Sequence, residues 1–148
     1  MALRTFDFKE VAVILGGVQL TGFMDGSAIE LEFDEQAYNK TVGADGEVSR
    51  SKTNNNTGNL TLRLQQTSPS NEILSGYRLA DEAGNAGVVP LLIKDANGST
   101  LVFAQHAWVQ QWPSQVWGQD IEGREWIIDT AQLDPFVGSN NANGNGGD

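Results

Sequence analysis

Few side chains in this sequence are able to do chemistry, and their spacing limits them further. One histidine occurs, His106, within Leu101-Val102-Phe103-Ala104-Gln105-His106-Ala107-Trp108. Any triad or imidazole acid–base mechanism must therefore be built around it, with a positioned partner. Nothing local supplies that partner. Strand alternation puts His106 on the face of Val102, Ala104 and Trp108, and a structural or surface histidine is the simpler reading. Carboxylates are plentiful: Glu30 and Glu32 alternate on one strand face, with Asp34 and Glu35 directly after. Such a pair hydrolyses a glycosidic bond only if one member is buried with a raised pKa, and a solvated strand face accounts for them more simply. Asp45-Gly46-Glu47 and Asp95-Ala96-Asn97-Gly98 are fragments of calcium-loop character without the full twelve-residue ligand spacing, and read as turns. Glycines form no phosphate-cradling pattern between a strand and a helix. Trp108, Trp112 and Trp117, interleaved with Gln110, Gln111 and Gln115, suit either a stacking platform for sugars or bases or an anchor between subunits. Subunit contact is the preferred reading, and nucleic acid the least favoured because few basic residues lie beside them.

Composition narrows the classes. The chain has 148 residues, 9 basic against 19 acidic, for a net charge of -10 and a pI near 4.3. That length holds one domain with a real core, and that charge repels phosphate, which argues against a stationary nucleic-acid binder. Cysteine is absent, excluding disulfides, thiolate metal sites and a cysteine nucleophile, as suits a reducing cytoplasm. With no apolar run of signal-peptide or membrane-spanning length, a soluble chain is expected.

The elements that would position these residues are mostly strands. Val11-Ala12-Val13-Ile14-Leu15, Gly16-Gly17 and Val18 to Phe23 suggest a first hairpin. Ile29, Leu31 and Phe33 share one strand face and Glu30 and Glu32 the other. From Asn39 to Asn59 the apolar content collapses, and a long exposed loop or mobile hairpin is expected. Leu60, Leu62 and Leu64 then point inward, with Thr61, Arg63 and Gln65 outward. Ser68 is a candidate N-cap with Pro69 at the first helical position, and Ile73, Leu74, Tyr77 and Ala80 form the apolar stripe of a helix running to about Glu82. Val88 to Lys94 and Thr100 to Trp108 read as two strands, Pro90 marking an edge or bulge, with a last strand from Arg124 to Thr130 in which Trp126 is core. Residues 138–148 hold no apolar side chain larger than alanine and are expected to be a disordered tail. The predicted fold is mainly β, an antiparallel β-sandwich or small barrel with one flanking helix, occupying residues 1–137 with an extended loop at about 39–59. Such a chain leaves sheet edges that must be covered, charged or paired with another copy.

Three stretches carry a family likeness: Gly43-Ala44-Asp45-Gly46-Glu47-Val48 ending a polar loop; the strand Leu60 to Leu64 followed by Thr67-Ser68-Pro69-Ser70-Asn71; and Arg124-Glu125-Trp126-Ile127-Ile128 followed by Leu133-Asp134-Pro135-Phe136-Val137-Gly138. In this order they resemble the tail tube proteins of contractile-tailed bacteriophages. The resemblance implies a structural virion protein without catalysis or cofactor. Its copies would form hexameric rings, stacked into a hollow tube that passes the tape measure protein and double-stranded DNA without binding the DNA specifically. It further implies the tail sheath protein, a baseplate tube initiator and a tail terminator as partners, and assembly in the host bacterial cytoplasm. On this reading the loop residues Gly43, Asp45, Gly46, Glu47, Arg50 and Lys52 reach the next ring. Glu30 and Glu32 face the lumen, where acids would let DNA slide, and Trp108, Trp112 and Trp117 lie between subunits. The alternatives are the tube of a phage-derived contractile injection particle and a carbohydrate-binding β-sandwich module.

Overall fold

The computed structural model describes residues 3–139. A 3-10 turn at Phe8–Glu10 leads into β1 (Val11–Leu15), which reverses through Gly16-Gly17 into the two-residue β2 (Val18–Gln19). After β3 (Ile29–Phe33) come β4 (Tyr38–Val42), β5 (Val48–Lys52) and the eight-residue β6 (Gly58–Gln65). Helix α1 (Ser70–Gly84) separates these from β7 (Val89–Asp95), β8 (Leu101–Val109), β9 (Gly123–Thr130) and the short β10 (Asp134–Phe136). All pairings are antiparallel, in the order β2-β1-β7-β8-β9-β6-β3, with β10 alongside β8 and with β4 and β5 forming a separate two-stranded sheet.

Alternation builds the core as expected. Leu60, Leu62 and Leu64 are fully buried on β6, and the register sets Leu60 opposite Ile128 and Leu62 opposite Trp126 on β9, both also buried. Val13 and Leu15 of β1, Leu91 and Ile93 of β7, and Val102, Ala104, Ala107 and Val109 of β8 complete the same cluster, into which α1 inserts Leu74. Each large side chain so buried contributes roughly 1.5–3 kcal/mol. The helix starts where Ser68-Pro69 predicts. Pro69 already has helical angles (φ -66°, ψ -18°), and Ser68 Oγ accepts from the Ser70 N–H at 3.1 Å while donating to the Thr21 carbonyl at 2.6 Å. Tyr77, one turn below Leu74, donates to the Leu15 carbonyl at 3.0 Å and ties α1 to the β1–β2 turn.

Two expectations change. Alternation fails along β8, because the β7–β8 register shifts between Val89 and Leu91: Leu91 faces Ala104 but Val89 faces Ala107. β8 thus carries an extra residue opposite Pro90, which has no N–H to offer the ladder. Gln105 and His106 are both exposed, and Ala107 instead of His106 joins Val102 and Ala104 in the core. The second change is at β3, an edge strand paired only with β6. Ile29 and Leu31 are half-buried, but Phe33 at its end is exposed.

Of the tail expected at 138–148, the Gly138 N–H donates to Thr100 Oγ1 at 2.9 Å and the Ser139 N–H to Ser99 Oγ at 3.3 Å. The rest lies outside the described residues.

Two substitutions test this packing. Leu62→Ala should lower unfolding free energy by about 2–5 kcal/mol, measured by urea denaturation. At Gly58 an added Cβ would meet Leu133 Cδ1 and lie 2.7 Å from the Glu32 carbonyl. Gly58→Ala should therefore cost about 1–3 kcal/mol, read as a lowered thermal midpoint.

Candidate assembly surfaces

The polar stretch from Asn39 to Asn59 is largely a hairpin. β4 and β5 pair in register from Tyr38 opposite Lys52 to Val42 opposite Val48, and all ten strand residues are exposed. The tip is a backbone-determined turn: the Gly43 N–H donates to the Glu47 carbonyl (2.8 Å), the Gly46 N–H to the Gly43 carbonyl (2.9 Å), and the Glu47 N–H to Asp45 Oδ1 (3.1 Å). Gly46 sits at φ +87°, where a side chain would be strained. Asp45 is thus committed to the turn, leaving Glu47 as the tip carboxylate without a side-chain partner among the described residues. Arg50 stacks 4.2 Å from the Tyr38 ring. The Asn-rich stretch after the hairpin anchors its own return to the sheet. Asn55 Oδ1 accepts from the Thr57 N–H at 3.0 Å, and the Asn56 carbonyl accepts from the Leu133 N–H.

On the outward face of the main sheet, Glu30 and Glu32 are exposed. Between Asp25 and Asn39 the chain has no base, but the fold brings one from β6. Arg63 Nη1 donates to Glu30 Oε1 at 2.9 Å and to the Ser27 carbonyl at 2.6 Å, and Arg63 Nε donates to Glu125 Oε2 at 3.0 Å. The hydrogen bond with Glu30, with the charges of both acids, pushes the Arg63 guanidinium up from its already high value, so the bridge carries its positive charge at any ordinary pH. Asp34 accepts from the Thr57 hydroxyl (2.6 Å) and from Asn59 Nδ2 (3.2 Å). Glu32 takes no ion pair among the described residues. The outward position of Arg63 is legible in the alternation of β6; its partners need the β3–β6–β9 register.

The tryptophans divide. Trp126 is buried, 2 % exposed, and its indole N–H donates to Asn71 Oδ1 at 2.9 Å. Trp112 packs at 6.2 Å and 55° against it, with the Arg78 guanidinium 5.8 Å from the Trp112 ring. Trp117 projects into solvent with Arg124 5.5 Å from its ring. Trp112 and Trp117 wall a cavity of about 250 Å³ whose polar lining includes Gln66, Asn71, Gln115 and Arg124. Trp108 lies elsewhere, half-buried in a shallow depression beside Arg78 and Val88. Sequence reasoning missed the burial of Arg124, the second residue of β9, which alternation with Trp126 and Ile128 would have placed inward.

His106 lies over a small hollow shared with Gln132 and Asp134, and its ring makes no hydrogen bond among the described residues. No group of three His, Asp or Glu side chains among the described residues is placed to hold a metal ion.

With the geometry in place, comparison with known proteins gives the family. Structural protein ORF10 of Pseudomonas phage KPP10 is 33 % identical over 111 residues, covering 74 % of this chain and 64 % of that protein. This chain therefore spans under two thirds of that relative's length. Among solved structures, a chain of the anti-feeding prophage cap, described as a tube terminating cap, has a TM-score of 0.64 at 14 % identity, covering 93 % of this chain and 94 % of the other. A chain of the sheath/tube terminator of the extracellular contractile injection system PVC, in its extended state, has a TM-score of 0.61 at 14 % identity, covering 90 % and 97 %. A chain of the PVC sheath-tube complex scores 0.61 at 12 % identity, covering 90 % and 92 %. These structures share the fold. The family model for the bacteriophage PhiTE tail tube protein matches residues 4–138, nearly the whole described chain, and the chain belongs to that family.

Proposed function

We propose that the chain is a structural virion protein that self-assembles into stacked hexameric rings, forming the inner tail tube through which the genome is delivered. The observation that carries this reading is the match of residues 4–138 to a tail tube family. The fold supports it physically. β3 is paired on one side only, and β2 closes the other end of the sheet order with only two residues. A sheet with open edges is stabilised against uncontrolled strand addition when copies pair edge to edge in a closed ring. The role asks for no catalysis and no cofactor. Its partners are further copies of itself, the tail sheath protein, a baseplate tube initiator, a tail terminator and the tape measure protein, with double-stranded DNA passing through unbound. Assembly takes place in the host bacterial cytoplasm.

In this reading Glu30 and Glu32 lie on the lumen wall and the hairpin bearing Gly43, Asp45, Gly46, Glu47, Arg50 and Lys52 reaches the neighbouring ring. Trp112 and Trp117 lie between copies, with Trp108 at a separate contact. The Arg63 bridge tempers the wall's negative charge near Glu30 while leaving Glu32 open, so the surface repels phosphate without a basic patch to hold it. A second reading, the tube of a phage-derived contractile injection particle, is favoured by the fold shared with the PVC and anti-feeding prophage chains.

Two experiments test the assignment. Replacing residues 39–52 by a short Gly-Ser turn should leave a folded protein whose rings fail to stack; electron micrographs showing long tubes from this variant would contradict the role of the hairpin. The double variant Glu30→Lys and Glu32→Lys alters two exposed side chains and should assemble normally, yet phage carrying it should deliver DNA poorly. Unchanged infectivity would remove the acidic-wall argument.

A further inference from the structure

We infer that the cavity walled by Trp112, Trp117 and Arg124 is the socket for the hairpin tip of a second copy of this chain, with Glu47 docking on Arg124. The contact rests on the tube reading above and names the residues that would join one ring to the next.

Arg124 is 7 % exposed, yet no carboxylate reaches it among the described residues. Its Nη1 donates to the Gly123 carbonyl at 3.1 Å and to the Val116 carbonyl at 3.4 Å, and the Trp117 ring covers it at 5.5 Å. Nε and Nη2 take no acceptor among the described residues, although Arg124 lines the cavity. A second guanidinium, Arg78, stands by Trp112 with its Nε buried and unbonded. In a chain with 19 acidic and 9 basic residues, two such cations beside the tryptophans without an acid indicate that the carboxylate comes from outside. A guanidinium flanked by a ring favours a planar carboxylate through charge-assisted hydrogen bonds.

The hairpin tip is the complementary shape. The Glu47 carboxylate has no partner among the described residues, and Val42 and Val48, the pair that closes the hairpin, are 61 % and 62 % exposed. At the socket Val116 and Trp117 are 58 % and 72 % exposed. Apolar surface therefore flanks the charge on both sides of the proposed contact.

Topology makes the contact intermolecular. The hairpin leaves the body where Phe33 pairs with Gly58, and the socket lies at the other end of the same ladder, where Gln65 pairs with Gly123. An eight-residue strand at roughly 3.3 Å per residue separates these ends by about 23 Å. The base of the hairpin and the socket thus sit at opposite ends of one ladder, and a tip that extends away from the body meets the socket of another copy in a head-to-tail contact, which repeats without limit when its operator does not close. The stem fits this picture. Lys40 faces Arg50 across the hairpin with Lys52 nearby, and none of the three has an acid partner among the described residues; like charges directly opposed are unfavourable until an acidic surface meets them.

The test follows ring formation and ring stacking separately, by sedimentation velocity and negative-stain micrographs of wild type, Glu47→Lys, Trp117→Ala and the double variant Glu47→Lys/Arg124→Glu. The first two variants change exposed residues, and each should form rings yet need at least about tenfold more protein to stack. The double variant restores opposite charges and should stack at within about threefold of the wild-type concentration. Stacking of both surface variants at the wild-type concentration would overturn the contact and leave the tube reading standing, whatever the folding of the double variant. A folded double variant that stacks no better than Glu47→Lys alone would also overturn it. Wild type that forms no rings even after addition of a preformed tube end from the same phage would remove the tube reading and this contact together.

Discussion

The pairing of β6 with β9 is the interaction on which the rest of the molecule depends. Eight residue pairs run without a shift from Gly58 opposite Thr130 to Gln65 opposite Gly123. Period-two alternation then sends Leu60, Leu62, Leu64, Trp126 and Ile128 into the core and Thr61, Arg63, Glu125 and Asp129 to the other face. A slip of one residue would exchange the two sets. Two interlocks at the Gly58 end oppose it: Thr130 Oγ1 donates to the Gly58 carbonyl at 2.9 Å, and Leu133 packs where any Cβ at position 58 would lie. The same ladder separates the hairpin from the tryptophan cavity, so the distance between the two proposed assembly elements is set by strand length.

Charge is distributed along this frame in a way that composition hides. The two ion pairs of Arg63, with Glu30 and Glu125, lie on the outward face, where such pairs add little to folding. The bases on the hairpin and beside the tryptophans have no acid partner among the described residues. On the proposed reading, a stack of identical copies would bring these cations against the excess acids of a neighbouring copy.

Much of this was legible in the sequence because it rests on local rules. The Leu60, Leu62, Leu64 alternation, the Ser68-Pro69 helix start, the irregularity at Pro90 and the buried place of Trp126 follow from period, capping and the missing proline donor. What escaped depends on pairing. β4 and β5 bury neither face, so no apolar period marks them as strands, and only their register shows the turn that Gly46 permits. The bulge opposite Pro90 moved His106 out to solvent because an extra residue in one strand leaves no trace in that strand's own pattern. β10 escaped as a strand because its three residues, one of them Pro135, pair only with β8. Arg124 stands two residues before Trp126, so alternation already sets it on the core face; the loop carrying Trp112 and Trp117 beside it is what the sequence does not show.

The central claim is that copies of this subunit assemble into a stacked tube. It is tested most directly by negative-stain electron microscopy of the purified protein across a concentration series. The account predicts sixfold rings with a central hole that stack into tubes as concentration rises. A protein that remains monomeric at every concentration, including after addition of a preformed tube end from the same phage, would contradict it.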